Sequence, residues 1–165
     1  MRRRTLLRLG LAGTAIVAVI GGGIAIVRPG LDGSTLSPPA RQIFRAVALA
    51  VLDTMLPTPP DDAIASLLQR LDVTISGLPP PARIELSQLL AVLATVGGRR
   101  MLTGVDVDWA EASIAQVQRG LRTMRDSSFD LPQQAYHALR DLTNAAYFAD
   151  PSTWSRIGYP GPVAL

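Results

Sequence analysis

The sequence predicts an all-α fold, an irregular bundle of about five helices, and three observations carry that expectation. Apolar residues recur at three- and four-residue spacing in successive blocks after residue 37, which is the period of one helix face. Proline and glycine punctuate the blocks at Pro57, Pro59 and Pro60, at Gly77 with Pro79–Pro81, and at Gly97-Gly98. No stretch shows the strict two-residue alternation of a half-buried strand.

Each helix has its own signature. Ser37-Pro38-Pro39 starts the first, because the first turn tolerates proline. Ile43, Val47, Val51 and Met55 line one face, with Phe44 and Leu52 beside them, until the prolines at 57–60 end it. Asp61 and Asp62 open the second by accepting from free backbone amides and complementing the helix dipole. Its apolar face is Ile64, Leu67, Leu68, Leu71 and Ile75. A third carries Ile84, Leu86, Leu89, Leu90, Leu93 and Val96 and is expected to stop at Gly97-Gly98. Asp108 is expected to cap a fourth, with Ile114, Val117, Leu121 and Met124 on one side. Asp130-Leu131-Pro132 starts a fifth, turning Ala135, Leu139, Leu142 and Ala146 inward.

The chain has 165 residues, enough for one domain once its start is set aside. Its formal charge of +3 comes from 16 arginines against 13 acids. Arg2, Arg3, Arg4, Arg8 and Arg28 hold five of them, so the body beyond residue 28 is net −2. That argues against a basic nucleic-acid binder. Cysteine is absent, so disulfides and thiolate chemistry are excluded, and a single histidine excludes a histidine-rich metal site.

The first residues, MRRRTLLRLG, precede 19 uncharged residues from Leu9 to Val27. Cations before an apolar run describe an export signal, and the run is close to the roughly 20 residues that cross a bilayer as a helix. Arg3, Arg4, Leu6, Leu7 and Arg8 resemble the twin-arginine export motif: an arginine pair, any residue, two apolar residues and a cation. An ordinary signal anchor obeying the positive-inside rule is the alternative. No clean Ala-x-Ala cleavage site follows, which leaves both a cleaved leader and a retained anchor open. The chain therefore divides into an apolar leader helix (1–28), a polar linker (29–36), a helical domain (37–149) and an extended tail (150–165).

Chemistry-bearing residues are sparse. Asp61-Asp62, Asp106 and Asp108 read as helix caps before they read as paired catalytic carboxylates. His137 lies mid-helix near Gln133 and Asp141, where a lone histidine is ordinarily a surface residue. Arg99 and Arg100 read as complements to a helix C-terminus, with an anion site as the rival. Arg119, Arg122 and Arg125 form a ridge on the fourth helix, a solvated face by default and a docking surface for an acidic partner otherwise. Trp109 suits core or interface equally. No catalytic, cofactor-binding or metal-ligating residues are expected in this chain.

The tail, DPSTWSRIGYPGP, poses a separate question. Asp150-Pro151 fits a cap and first position for one short helical turn, and Gly158 breaks it. Trp154 and Tyr159 either fold back on the bundle or supply contact energy to a partner. The ending AAYFADPSTWSRIGYPGP resembles the C-terminal signature of the gluconate 2-dehydrogenase subunit 3 family, on Tyr147, Pro151, Trp154, Gly158, Tyr159, Pro160, Gly161 and Pro162. The opening IFRAVALAVLDTMLPT is also similar to the family's first helix.

That resemblance implies a non-catalytic small subunit of a membrane-associated, FAD-dependent sugar or alcohol dehydrogenase of the glucose–methanol–choline type. The family's large subunit holds the FAD and usually lacks a signal. The small subunit supports its folding and carries it through the twin-arginine translocase to the periplasm, and a haem c subunit often completes the complex. On this view the eight tail residues form the partner interface, and a retained leader anchors the complex in the inner membrane. Two rivals remain: a membrane-anchored helical binding module unrelated to flavoenzymes, and an enzyme acting by itself through His137 with Asp141.

Overall fold

The structure is a computed structural model, and it describes the backbone of residues 16–20 and 23–161, with side chains from residue 28 to 161. The export-motif residues Arg3, Arg4, Leu6, Leu7 and Arg8 lie outside the described residues, as does Pro162.

The all-α expectation holds from residue 38 onward. Six α-helices are present among the described residues: α1 (Pro38–Leu52), α2 (Asp61–Ser76), α3 (Pro80–Ala94), α4 (Val96–Thr103), α5 (Ile114–Arg125) and α6 (Asp130–Phe148). A 3-10 turn, Asp53–Met55, extends α1, and another, Pro151–Ile157, follows α6. No described helix is long and apolar enough to cross a membrane.

α1 is the axis of the bundle. Ile43, Phe44, Val47 and Ala48 on it are fully buried, and α2, α3, α5 and α6 all pack against it. Burying each large apolar side chain contributes roughly 1.5–3 kcal/mol. The predicted face of α2 is confirmed residue by residue: Ile64, Leu67, Leu71 and Ile75 are at most 1% exposed, and Leu68 packs at the margin.

Two small hairpins precede α1. The described part of the leader is extended: Ile16–Ile20 (β1) and Gly23–Val27 (β2) pair antiparallel, with Ile16 opposite Val27 and Ile20 opposite Gly23. Isoleucine and valine favour extended backbone, in keeping with this pairing. The segment expected as a polar linker is a second small hairpin, β3 (Leu31–Asp32) with β4 (Thr35–Leu36). Leu31 and Leu36 are buried in the core. Asp72 on α2 clamps this hairpin, accepting from the Leu36 amide at 2.8 Å and pairing with Arg41 of α1.

The third and fourth helices also begin and end differently. Gly97-Gly98 does not stop α3; the break falls at Thr95, whose hydroxyl accepts from the Gly98 amide at 3.0 Å and so caps α4. A Cβ on Gly98 would stand 2.1 Å from the Val92 carbonyl oxygen, so glycine serves the close approach of α4 to the end of α3. Asp108 does not cap α5. Ser113 does, in a reciprocal capping box with Gln116. Ile84 and Val96, expected inside, are 58% and 61% exposed.

Candidate partner interface

The tail folds back on the body. α6 runs into it through Tyr147, which is 2% exposed and donates its hydroxyl to the carbonyl of Met55. Arg156 also donates to that carbonyl, at 3.0 Å. Asp150 caps the turn that follows by accepting from the Ser152 amide at 2.9 Å, and Arg70 of α2 reaches its other oxygen at 3.1 Å. Ser152, through its hydroxyl and its backbone amide, holds the Asp150 carboxyl below the ordinary carboxylate range, with Arg70 adding to the effect against a desolvation that opposes it.

Trp154 is the anchor. Its indole N–H donates to the Phe148 carbonyl at 2.8 Å, satisfying one of the orphan groups at the end of α6. Tyr159 meets it edge-on with ring centres 5.3 Å apart, and the Tyr159 amide donates to the Trp154 carbonyl at 3.0 Å. Gly161 closes the loop at φ 96°, where a Cβ would lie 3.3 Å from the indole ring. The break expected at Gly158 is present, at φ 70°.

Two populations of residue emerge from the expected interface. Tyr147 leaves no surface for a partner, because burial and its bond to Met55 commit it to the core. Trp154 is half-buried beneath the turn. Pro151, Gly158, Tyr159 and Pro160 are exposed, and with Ile157 they make an outward apolar ridge in which Ile157 and Tyr159 are 47% and 46% exposed.

A second surface was not foreseen. α3 and α6 are held apart by an open groove of about 730 Å³. Leu86 and Leu89 of α3, Leu102 of α4, and Ala135, Ala138 and Leu142 of α6 line it. Alanines at 135, 138 and 145 leave the space that larger side chains on α6 would fill. Glu85, His137 and Asp141 stand on its rim.

The remaining charged candidates resolve into structural roles. Arg99 is 1% exposed inside α4 and pairs with Asp108 at 3.0 Å, while Arg100 pairs with Asp106 at 2.9 Å on the surface. These pairs tie the 104–112 loop to α4, so Asp106 and Asp108 are ion-pair partners and not caps. Trp109 belongs to the core, its N–H donating to the Leu93 carbonyl at 2.8 Å. His137 rests edge-on to Tyr136 at 5.2 Å, and Asp141 is paired with Arg140 at 3.1 Å. Asp61 pairs with Arg45 at 2.7 Å. Arg119, Arg122 and Arg125 are exposed on α5, and Arg125 is held by Asp126 at 2.8 Å. No group of three or more metal-ligating side chains occurs among the described residues.

Comparison with family models, with curated proteins and with solved structures returns no match to this chain.

Proposed function

We propose that this protein is a non-catalytic small subunit that escorts a larger FAD-dependent dehydrogenase of the glucose–methanol–choline type through the twin-arginine route into the periplasm. One observation carries the reading: the ordered ridge of Ile157, Tyr159 and Pro160. It projects from a turn locked by Trp154 and Asp150. A rigid aromatic and proline surface binds with little loss of conformational entropy, because its shape is already set in the free protein. The arginine-pair leader supports the same reading from the other end of the chain. FAD belongs to the partner, and a haem c subunit would receive its electrons.

The test is co-expression with a large FAD-dependent dehydrogenase subunit encoded in the same genome. The small subunit is expected to co-purify with a flavin-loaded partner, and the pair to reach the periplasm. Arg3→Lys together with Arg4→Lys is expected to keep both in the cytoplasm. A partner that matures and leaves the cytoplasm in cells lacking this chain would refute the role.

A further inference from the structure

The groove between α3 and α6 has a counterpart on the same molecule. Its floor is apolar, and Glu85 stands on its rim with no ion-pair partner among the described residues. The loop between α5 and α6 holds Phe129 out at 74% exposed, beside a shallow depression that Arg119 and Arg122 also line. Neither arginine pairs with an acid among the described residues. One surface is a recess with a negative rim, and the other is an aromatic knob with a positive flank. We propose that the two surfaces pair between two copies of this chain. Phe129 of each copy enters the groove of the other, and Arg122 meets Glu85 across the contact.

Three observations select a second copy as the occupant. The free charges are complementary, which steers and registers such a contact. Asp141, the other acid on the rim, is engaged by Arg140 at 3.1 Å, so Glu85 carries the pairing. The placement fits as well. Leu131 lines the groove and Phe129 precedes it by two residues, so knob and recess adjoin on one side of the molecule. A two-fold contact uses the same self-complementary patch on both copies, and adjoining halves meet that condition. The apolar surface is continuous too: Phe129 at 74% and Leu131 at 57% exposed extend the groove into a patch of the kind that marks an interaction site. The two-fold axis then passes near Leu131, which meets its own copy.

A contact of one groove and one knob on each side is small, so the dimer is reversible and forms in about the micromolar range. The pairing goes beyond the escort role and does not rest on it.

Sedimentation of the full-length chain from about 1 to 500 μM measures the association directly. Monomer and dimer are expected, without longer chains. Phe129→Ala is expected to weaken the dimer about thirty-fold. Glu85→Arg and Arg122→Glu are each expected to weaken it about ten-fold, and the two together to restore it to within about three-fold of wild type. All three positions are exposed, so circular dichroism is expected to hold. The chain lacks cysteine, so Leu131→Cys introduces a single thiol. It is expected to oxidise between copies about ten-fold faster than Ala65→Cys, an exposed site on α2 outside the groove. Every variant keeps the same first 28 residues, so association through that segment is indifferent to these changes. A monomer at all concentrations, or a dimer unmoved by Phe129→Ala and by both charge reversals, would overturn the pairing and leave the groove to another partner. A double reversal no tighter than either single change, or equal oxidation at positions 131 and 65, would overturn it as well. The measurement uses the isolated chain, so its failure leaves the escort role standing, and failed co-purification leaves the pairing standing.

Discussion

The tail and the groove are the two unusual surfaces of this molecule, and they are built in opposite ways. The tail looks from its composition like a free interface, yet much of its hydrogen-bonding capacity is spent on the body: the Trp154 indole on Phe148, the Arg156 guanidinium on Met55 and the Asp150 carboxylate on Arg70. The groove has no conspicuous sequence signal, and its apolar walls stand open to solvent. A segment rich in aromatics and prolines can therefore be a structural clasp that also presents a ridge. A pair of ordinary amphipathic helices can leave a cleft because one wall is lined with alanines.

The sharpest separation is expected from truncating one side chain on each surface. Trp154→Ala removes the indole, its bond to Phe148 and its packing on Tyr159 and Gly161, and is expected to cost roughly 2–3 kcal/mol. Leu89→Ala on the groove wall removes a half-buried side chain and is expected to cost about 1 kcal/mol. Urea unfolding of the two variants measures both. A loss below about 1 kcal/mol for Trp154→Ala would place the tail outside the cooperative unit and dissolve the contrast.

Adding atoms tests the same contrast from the other side. Gly161→Ala forces a Cβ onto a backbone at φ 96° and toward the indole, with an expected cost of about 1–2 kcal/mol. Ala138→Leu grows into open space, and its effect on Tm is expected to stay within the equivalent of about 0.5 kcal/mol. Thermal denaturation of the pair decides it.

Much of this architecture was legible because it is local. The four-residue rhythm of α2 needs nothing beyond its own sequence, and its predicted face is buried as expected. The α3–α4 junction was not legible. Gly97-Gly98 has the form of a helix stop, but its meaning comes from the approach of Gly98 to Val92. The start of α5 was readable from Ser113 and Gln116, a capping-box spacing, but Asp108 was the more conspicuous residue and was committed elsewhere, to Arg99. A fully buried arginine contradicts the ordinary preference of its residue type, so no periodicity discloses Arg99. The groove depends on the spacing of two helices far apart in sequence, which a single chain does not encode in any window. In the tail, the cap at Asp150 and the break at Gly158 were legible from turn chemistry, and the destination of Trp154 was not.

A smaller effect comes from the Asp150 cap. Its carboxyl is held below the usual range in the folded protein, so its contribution is present above the unfolded value of about 3.9 and is lost as pH falls through the lower, folded value. Asp150→Ala is expected to lower stability by about 1 kcal/mol at pH 7. The Tm gap between the wild-type protein and this variant is expected to narrow steadily below about pH 4. A gap that stays constant down to pH 2 would show that the cap works without the charge.

The smallest expected change in stability is also the one that bears most on function. Tyr159 is 46% exposed, and its ring rests on the edge of Trp154 without a buried hydrogen bond of its own side chain to the body. Tyr159→Ala is therefore expected to shift the unfolding free energy by no more than about 0.5–1 kcal/mol. If the ridge is the partner's contact, the same change removes an aromatic anchor and is expected to weaken association by about 2 kcal/mol, roughly thirty-fold in Kd. Titrating the purified flavin-loaded large subunit with each small-subunit variant measures this directly. Ala138→Leu in the groove is expected to leave that Kd unchanged. An unchanged Kd for Tyr159→Ala together with a weakened one for Ala138→Leu would reverse the assignment, giving the partner the groove and leaving the tail a clasp alone.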